Sequence, residues 1–355
     1  MERVLIIEPG ANGHRLMYVR EIAERAISTG RRPVWVTTEV AWQSQERRVF
    51  LNSLGEELDV EVVSDLRLRA VERLARRVGA VRTVLPDGDR WLPKVVGHFG
   101  WRGPGDLRIL VMRPDAQPTP HWWDGRFRHR AKRSLMAAAG AFPSIRVFEL
   151  RSPFWNGEDR FEVARDPVSI SPNLPSRQEV LRRFDLDAHT AWFAIFGVIG
   201  FRKNVRAVVE ALCSAAPEET GLLLAGRIDP EVLRDAAPML ERFKGLGGTV
   251  RVINRLLSEE ELDGAVSAVD CLMIVQDTEA PSGLLGKAVC LGTRSIVAGA
   301  HSLAADCEQL AGSALTCGTE VGEIAGGVRL ALSMRQTAGA VRRAMPNSFG
   351  RTLIG

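Results

Sequence analysis

The chain has 355 residues, 45% hydrophobic and 25% charged, with a formal net charge of +4. That length exceeds one ordinary core and predicts two domains of about 150 residues each, with the composition of a soluble globular protein. The small positive surplus suits anionic small ligands or surfaces and does not demand nucleic acid. In chain order, "RVLIIE" is a short apolar run suited to a central parallel strand. "HRLMYVREIAERAISTG" has amphipathic helical spacing and ends in Gly30, a good C-cap. Then come the strand "RPVWVTT", a helix around 39–54 and the strand "DVEVVS". "DLRLRAVERLARRVG" is a strongly basic amphipathic helix. The strands "AVRTVL", "DLRILVMRPD" and "SIRVFELRS" complete the first half. The stretch 151–180, rich in Pro, Asn and Ser, reads as a connection between domains.

The alternation then restarts. "AWFAIFGVIG" is a strand running into a glycine loop, followed by the helix "NVRAVVEALCSAA". "TGLLLAG", "VRVINRLL" and "CLMIVQD" are further strands, each followed by a helix. "EAPSGLLGKAVCLGTRSIVAGA", residues 279–300, reads as loop, helix, tight turn and strand. The pattern predicts an α/β protein with two doubly wound parallel domains, 1–165 and 166–335, and a tail, 336–355, that packs back on the first. Ligands of such sheets bind at the carboxyl ends of the strands. The five cysteines lack CxxC spacing and read as reduced thiols. A signal peptide and a membrane-spanning run are both missing from the pattern, so a cytoplasmic location is expected.

Three loops fall at predicted strand ends. "EPGANGHR" brings Gly10 and Gly13 to the start of the first helix, where free amides can meet an anion. Its spacing is not that of a dinucleotide fingerprint. "FGVIGFRKN" holds Gly197, then Arg202 and Lys203, two cations suited to a diphosphate. In the third loop Ser282, Gly283, Leu284 and Leu285 open a helix whose amides could receive a phosphate, and Glu279 could accept bonds from hydroxyls. Asp87 and Asp89 in "PDGD" read as turn residues.

Taken together, "FGVIGFRKNVRAVVEAL", "LLLAG", "VRVINRLLSEEELDGAVSAVD" and "EAPSGLLGKAVCLGTRSIVAG" resemble the family-4 retaining glycosyltransferases of the GT-B fold, over about 190–310. The resemblance implies two Rossmann-like domains facing across a cleft, an acceptor domain first and a nucleotide-sugar donor domain second. It implies that Lys203 contacts the donor diphosphate, that Glu279 is the first acid of the E-x7-E motif and that Asn254 and Arg255 lie near the nucleobase. The second acid of that motif is replaced by Lys287, which cannot accept a ribose hydroxyl, and is expected to pair with Glu279 or to add charge near a phosphate. Val198 stands where the family has an arginine, with Arg202 nearby. A first-domain histidine is expected at the reacting carbon: His121 first, then His98 and His14, with Trp122 and Trp123 beside His121. No metal or cofactor is implied. The expected partners are a nucleotide sugar and a glycan, lipid-linked glycan or small-molecule acceptor. Peripheral contact with the inner membrane face is a further expectation; nucleic acid is not one. Two alternatives accompany this reading: a noncatalytic relative that binds a glycan or a partner glycosyltransferase, and a sugar-nucleotide epimerase.

Overall fold

The computed structural model describes residues 1–11, 15–114, 122–158, 160–276, 279, 281–310, 312–334, 345 and 347–355. The chain forms two compact units, one of Met1–Pro167 with Asn347–Gly355, the other of Val168–Pro346. Among the described residues no helix is long and apolar enough to cross a membrane.

The first unit carries β1 (Arg3–Ile7), β2 (Arg32–Thr37), β3 (Asp59–Val62), β4 (Ala80–Leu85), β5 (Asp106–Val111), β6 (Ile145–Arg151) and β7 (Glu162–Arg165). They form one parallel sheet in the order β3-β2-β1-β4-β5-β6-β7. Successive side chains of a strand point to opposite faces. Val4 and Ile6 therefore join one apolar cluster and Leu5 and Ile7 another, so β1 is buried on both sides. The second unit carries β8 (Ala191–Ile199), β9 (Thr220–Ile228), β10 (Thr249–Asn254), β11 (Cys271–Gln276), β12 (Arg294–Gly299) and β13 (Ala314–Cys317). Its parallel order is β10-β9-β8-β11-β12-β13. In each sheet the strand order reverses once, between β1 and β4 and between β8 and β11. Such a reversal leaves a crevice at the carboxyl ends of the two strands, where ligands of open α/β sheets bind.

Local chemistry altered several predicted elements. The helix expected around 39–54 is two short helices, Glu39–Trp42 and Gln45–Phe50, because Thr38 and Ser44 each turn a side chain onto a following amide and start a new helix. The stretch 151–180 is not a plain connection. It contains β7 and leads into the helix Arg177–Phe184, opened by a Ser176–Glu179 capping box.

The last segment completes the first unit's core. Phe349, Leu353 and Ile354 are fully buried in it, and Phe349 stacks on Tyr18 with ring centroids 5.0 Å apart. Tyr18, the chain's one tyrosine, also donates its hydroxyl to Asp166 Oδ1 at 2.7 Å, beside the unit boundary. Burial pushes the Asp166 carboxyl up to about 7, although the Tyr18 hydroxyl holds it down. The folded state therefore holds a proton that the unfolded chain, with an ordinary carboxyl near 3.9, has released. Stability from this group is present below about pH 4 and is lost as pH rises toward 7. Asp166→Asn keeps an acceptor for Tyr18 and cannot titrate. Its melting temperature should gain on the wild type between pH 5 and pH 8; a parallel pH dependence of the two proteins would refute the buried proton.

Candidate functional site

The loop after β8 and the loop after β11 flank the reversal of the second sheet. β8 runs two residues past Gly197 before the chain turns at Gly200. Gly197 faces Gly226 across the β8–β9 ladder, and both have positive φ, +91° and +140°. A Cβ on Gly226 would lie 1.9 Å from the Gly197 carbonyl oxygen, whereas a Cβ on Gly197 would meet open space. Gly226→Ala should thus cost far more stability than Gly197→Ala, which bears only the positive-φ strain. Comparing the two by thermal unfolding tests this; equal losses would contradict the close approach.

Phe201–Lys203 makes one tight turn before the helix Val205–Ala215. The turn folds Lys203 back over the strand end, so that Nζ donates to the Phe196 carbonyl at 3.0 Å. Burial, together with neighbouring Arg202, pulls the Lys203 ammonium down to about 7. No carboxylate pairs with Lys203 among the described residues. Arg202 reaches across to β11, its Nη1 3.5 Å from Gln276 Oε1. Gln276 ends an otherwise apolar strand, and its carbonyl accepts from the Ala300 amide at the end of β12. Sequence reasoning passed over Gln276; a polar residue closing "CLMIVQ" was the available signal.

Glu279 lies between β11 and the helix Gly283–Leu291. Its Oε1 accepts from the His301 amide at 2.8 Å and its Oε2 from the Ser302 amide at 2.9 Å. The helix His301–Glu308 has no side-chain cap of its own, so Glu279 caps it from a distance. Ser282 caps Gly283–Leu291 by accepting from the Leu285 amide at 3.3 Å. Of the three amides expected to face a phosphate, Leu285 therefore already has a partner.

Asn254, Arg255 and Lys287, the residues expected near the nucleoside, each have a protein partner. Asn254 and Arg255 lie at the end of the edge strand β10, where Asn254 Oδ1 accepts from the Ile228 amide at 2.9 Å. Arg255 makes two 2.8 Å bonds to Glu261, the capping-box acid of the helix Glu259–Ala268. Lys287 corrects the sequence reading outright. It does not pair with Glu279 but is buried against Asp263 Oδ1 at 2.5 Å and the Ser169 carbonyl at 2.6 Å. It lies four residues into an apolar helix, so it points into the unit and pairs with the buried Asp263.

The reversal of the first sheet has its own charged cluster. Glu8, just past β1, is fully buried; its Oε1 accepts from the Gly10 amide at 2.8 Å and from Arg15 Nη1 at 2.9 Å, while Oε2 has no partner. Burial raises the Glu8 carboxyl and Arg15 opposes that rise. Arg15 Nη2 reaches Asp87 at 2.5 Å, just past β4. Asp89 accepts from the Met112 amide at 2.8 Å and pairs with Lys132. The turn reading of Asp87 and Asp89 is thus incomplete, since both are ion-paired at strand ends. Glu8 and Arg15 were missed because each was read only as part of a strand or a helix. His98 is placed away from this cluster, 3.3 Å from the buried Glu72. Gly13, His14 and His121 lie outside the described residues, as do the side chains of Trp122 and Trp123.

No family model matches the chain, and no curated protein matches its sequence. Solved structures do match its fold. A glycosyltransferase from Rickettsia africae aligns over 99% of this chain and 93% of its own, at 10% identity and a TM-score of 0.68. Sucrose-phosphate synthase from Thermosynechococcus elongatus aligns over 99% and 93%, at 14% identity and 0.69. The Anabaena protein HepE in complex with UDP aligns over 99% and 94%, at 14% identity and 0.69. A putative UDP-N-acetylglucosamine 2-epimerase from Listeria monocytogenes aligns over 98% and 93%, at 12% identity and a lower 0.57. At such identities the likeness speaks to architecture: the chain has the two-unit α/β GT-B fold of these glycosyltransferases.

Proposed function

We propose that the protein is a retaining glycosyltransferase using a nucleoside-diphosphate sugar. The observation that carries this reading is Lys203, an ammonium without a carboxylate partner among the described residues, held beside Arg202 at the reversal of the second sheet. Two neighbouring cations at one strand end make a site for a polyanion. The amides of Gly283 and Leu284 complete it from the helix start. In this reading the leaving diphosphate is stabilised by Lys203, Arg202 and those amides, and no metal is called on. A donor sugar hydroxyl is read as donating to the Glu279 carboxylate while it stays a helix cap. The cap also fixes the carboxylate's position, so binding does not have to order it. The uridine nucleotide in the HepE structure makes UDP the first ligand to test.

Calorimetric titration with UDP, GDP, ADP and their sugar conjugates tests the proposal. Saturable binding of one series is expected; no binding of any would shift the reading to a noncatalytic relative. An epimerase is the second reading, favoured by the carboxylates Glu8 and Asp87 at the reversal of the first sheet and by the Listeria likeness. Following the sugar nucleotide by NMR separates the two. A transferase releases the diphosphate, whereas an epimerase returns an inverted sugar still attached to it.

A further inference from the structure

The basic helix read from the sequence, Leu68–Val78, borders two adjoining cavities in the first unit. One, of about 520 Å3, is lined by Arg67, Arg69, Arg73, Lys94 and His98, with Asp65 as its acid. The other, of about 420 Å3, is lined mainly by Val36, Val62, Val63, Leu66, Val71 and Leu74, with Ser64 and Arg77, the latter paired with Glu61. Asp65, Ala70 and Arg73 line both, so the two form one groove, cationic at one end and apolar at the other.

The charges in the groove do not balance. Arg67 is clasped by Asp65 at 2.8 Å, and His98 faces the buried Glu72. Arg69 and Arg73 are one turn apart on the helix; Arg73 shares Asp65 with Arg67, Arg69 has no acidic partner among the described residues, and Lys94 has the face of Trp91, 4.8 Å away. Four cations thus line the cavity against one acid, an excess of three. The helix opens into the same cavity without a side-chain cap, which puts its positive end there too. The apolar arm is also unfinished: Val62 at the end of β3 is 41% exposed, and Val63 and Leu66 just after it are half-buried. A solvated arginine face would account for the cations alone, but not for an apolar recess continuous with them.

We infer that this groove binds a single-chain amphiphile with one phosphate group, the phosphate on Arg69, Arg73 and Lys94 and the chain over Val62, Val63 and Leu66. Helix residues Leu68, Val71 and Leu74 point inward and are buried, so this face offers a slot for one chain and not an apolar ridge to enter a bilayer. The inference stands apart from the diphosphate site and holds whether or not that site is active.

The test is calorimetry with decyl phosphate, decanol and inorganic phosphate at physiological salt, with phosphatidylglycerol vesicles as a fourth arm. Decyl phosphate is expected to bind at least tenfold more tightly than either half alone, and more weakly as salt is raised. Arg69→Ser/Arg73→Ser, both exposed positions, should lower that affinity tenfold or more. Val62→Asp should lower it for decyl phosphate and leave inorganic phosphate unchanged. Lys203→Ala should change none of these, which keeps this result separate from the donor site. Equal binding of decanol, an unaffected double variant, or binding to vesicles alone would each overturn the inference.

Discussion

Lys203→Met is expected to weaken UDP binding strongly while leaving the fold at least as stable as the wild type at neutral pH. The ammonium is half-buried against the Phe196 carbonyl, and desolvation with the Arg202 charge holds it down to about 7. A charge-assisted bond to a phosphate contributes about 1.5–3 kcal/mol, so its loss should weaken UDP by roughly 10- to 100-fold. The stability change has the opposite sign. Between about pH 7 and the ordinary lysine value of about 10.4 the unfolded chain holds a proton that the folded one lacks. Stability therefore rises with pH through that window, and below it the folded protein bears the cost of a desolvated charge. Methionine removes the cost. Binding should also take up close to one proton at pH 8–9, because a diphosphate restores the ammonium, and affinity should fall as pH rises above 7. Calorimetry in buffers of different ionisation enthalpy measures that proton. Unchanged UDP affinity in Lys203→Met, or binding without proton uptake, would remove Lys203 from the site.

Lys287→Glu restores an acid at the position where the E-x7-E motif has one, and it is expected to damage the fold and not to improve turnover. Asp263 is fully buried, and its two oxygens are held by Lys287 and by the Ser171 amide at 2.7 Å. Removing one partner of such a pair leaves an uncompensated charge, at a cost of about 3–5 kcal/mol. Lys287→Met should show that loss in denaturant unfolding, and Lys287→Glu a larger one, since two carboxylates then share the pocket. Lys287→Met combined with Asp263→Asn should recover most of it, because the charge goes and an acceptor for Ser171 stays. Normal stability and faster sugar-nucleotide turnover in Lys287→Glu would mean that the side chain belongs to the ribose site after all.

These two lysines show what was legible in the sequence. Period and punctuation placed the apolar strands and the loops at their ends, because buried parallel strands write themselves as runs of Val, Ile and Leu. They placed Lys203 and Glu279 at strand ends for the same reason. They could not say which partner each side chain takes. The Lys287–Asp263 pair spans 24 residues and the Glu279 cap spans 22, and neither separation carries a periodic signal. The same blindness hid Glu8, Arg15 and Asp87, which meet only because β1 and β4 are neighbours in the sheet. The short strand β7 was lost among the prolines and polar residues of its connection.

The return of Asn347–Gly355 to the first unit has a consequence for how the protein is made. Ribosomes deliver the chain from its amino end, so Phe349, Leu353 and Ile354 emerge only after the whole of Val168–Pro346. The contiguous unit can fold as it leaves the ribosome. The one begun first must wait with an apolar socket open beside Tyr18 and Ile22, and only the segment Asn347–Gly355 closes it. During synthesis the older half is thus the later to mature, and the exposed socket is where a chaperone would be needed.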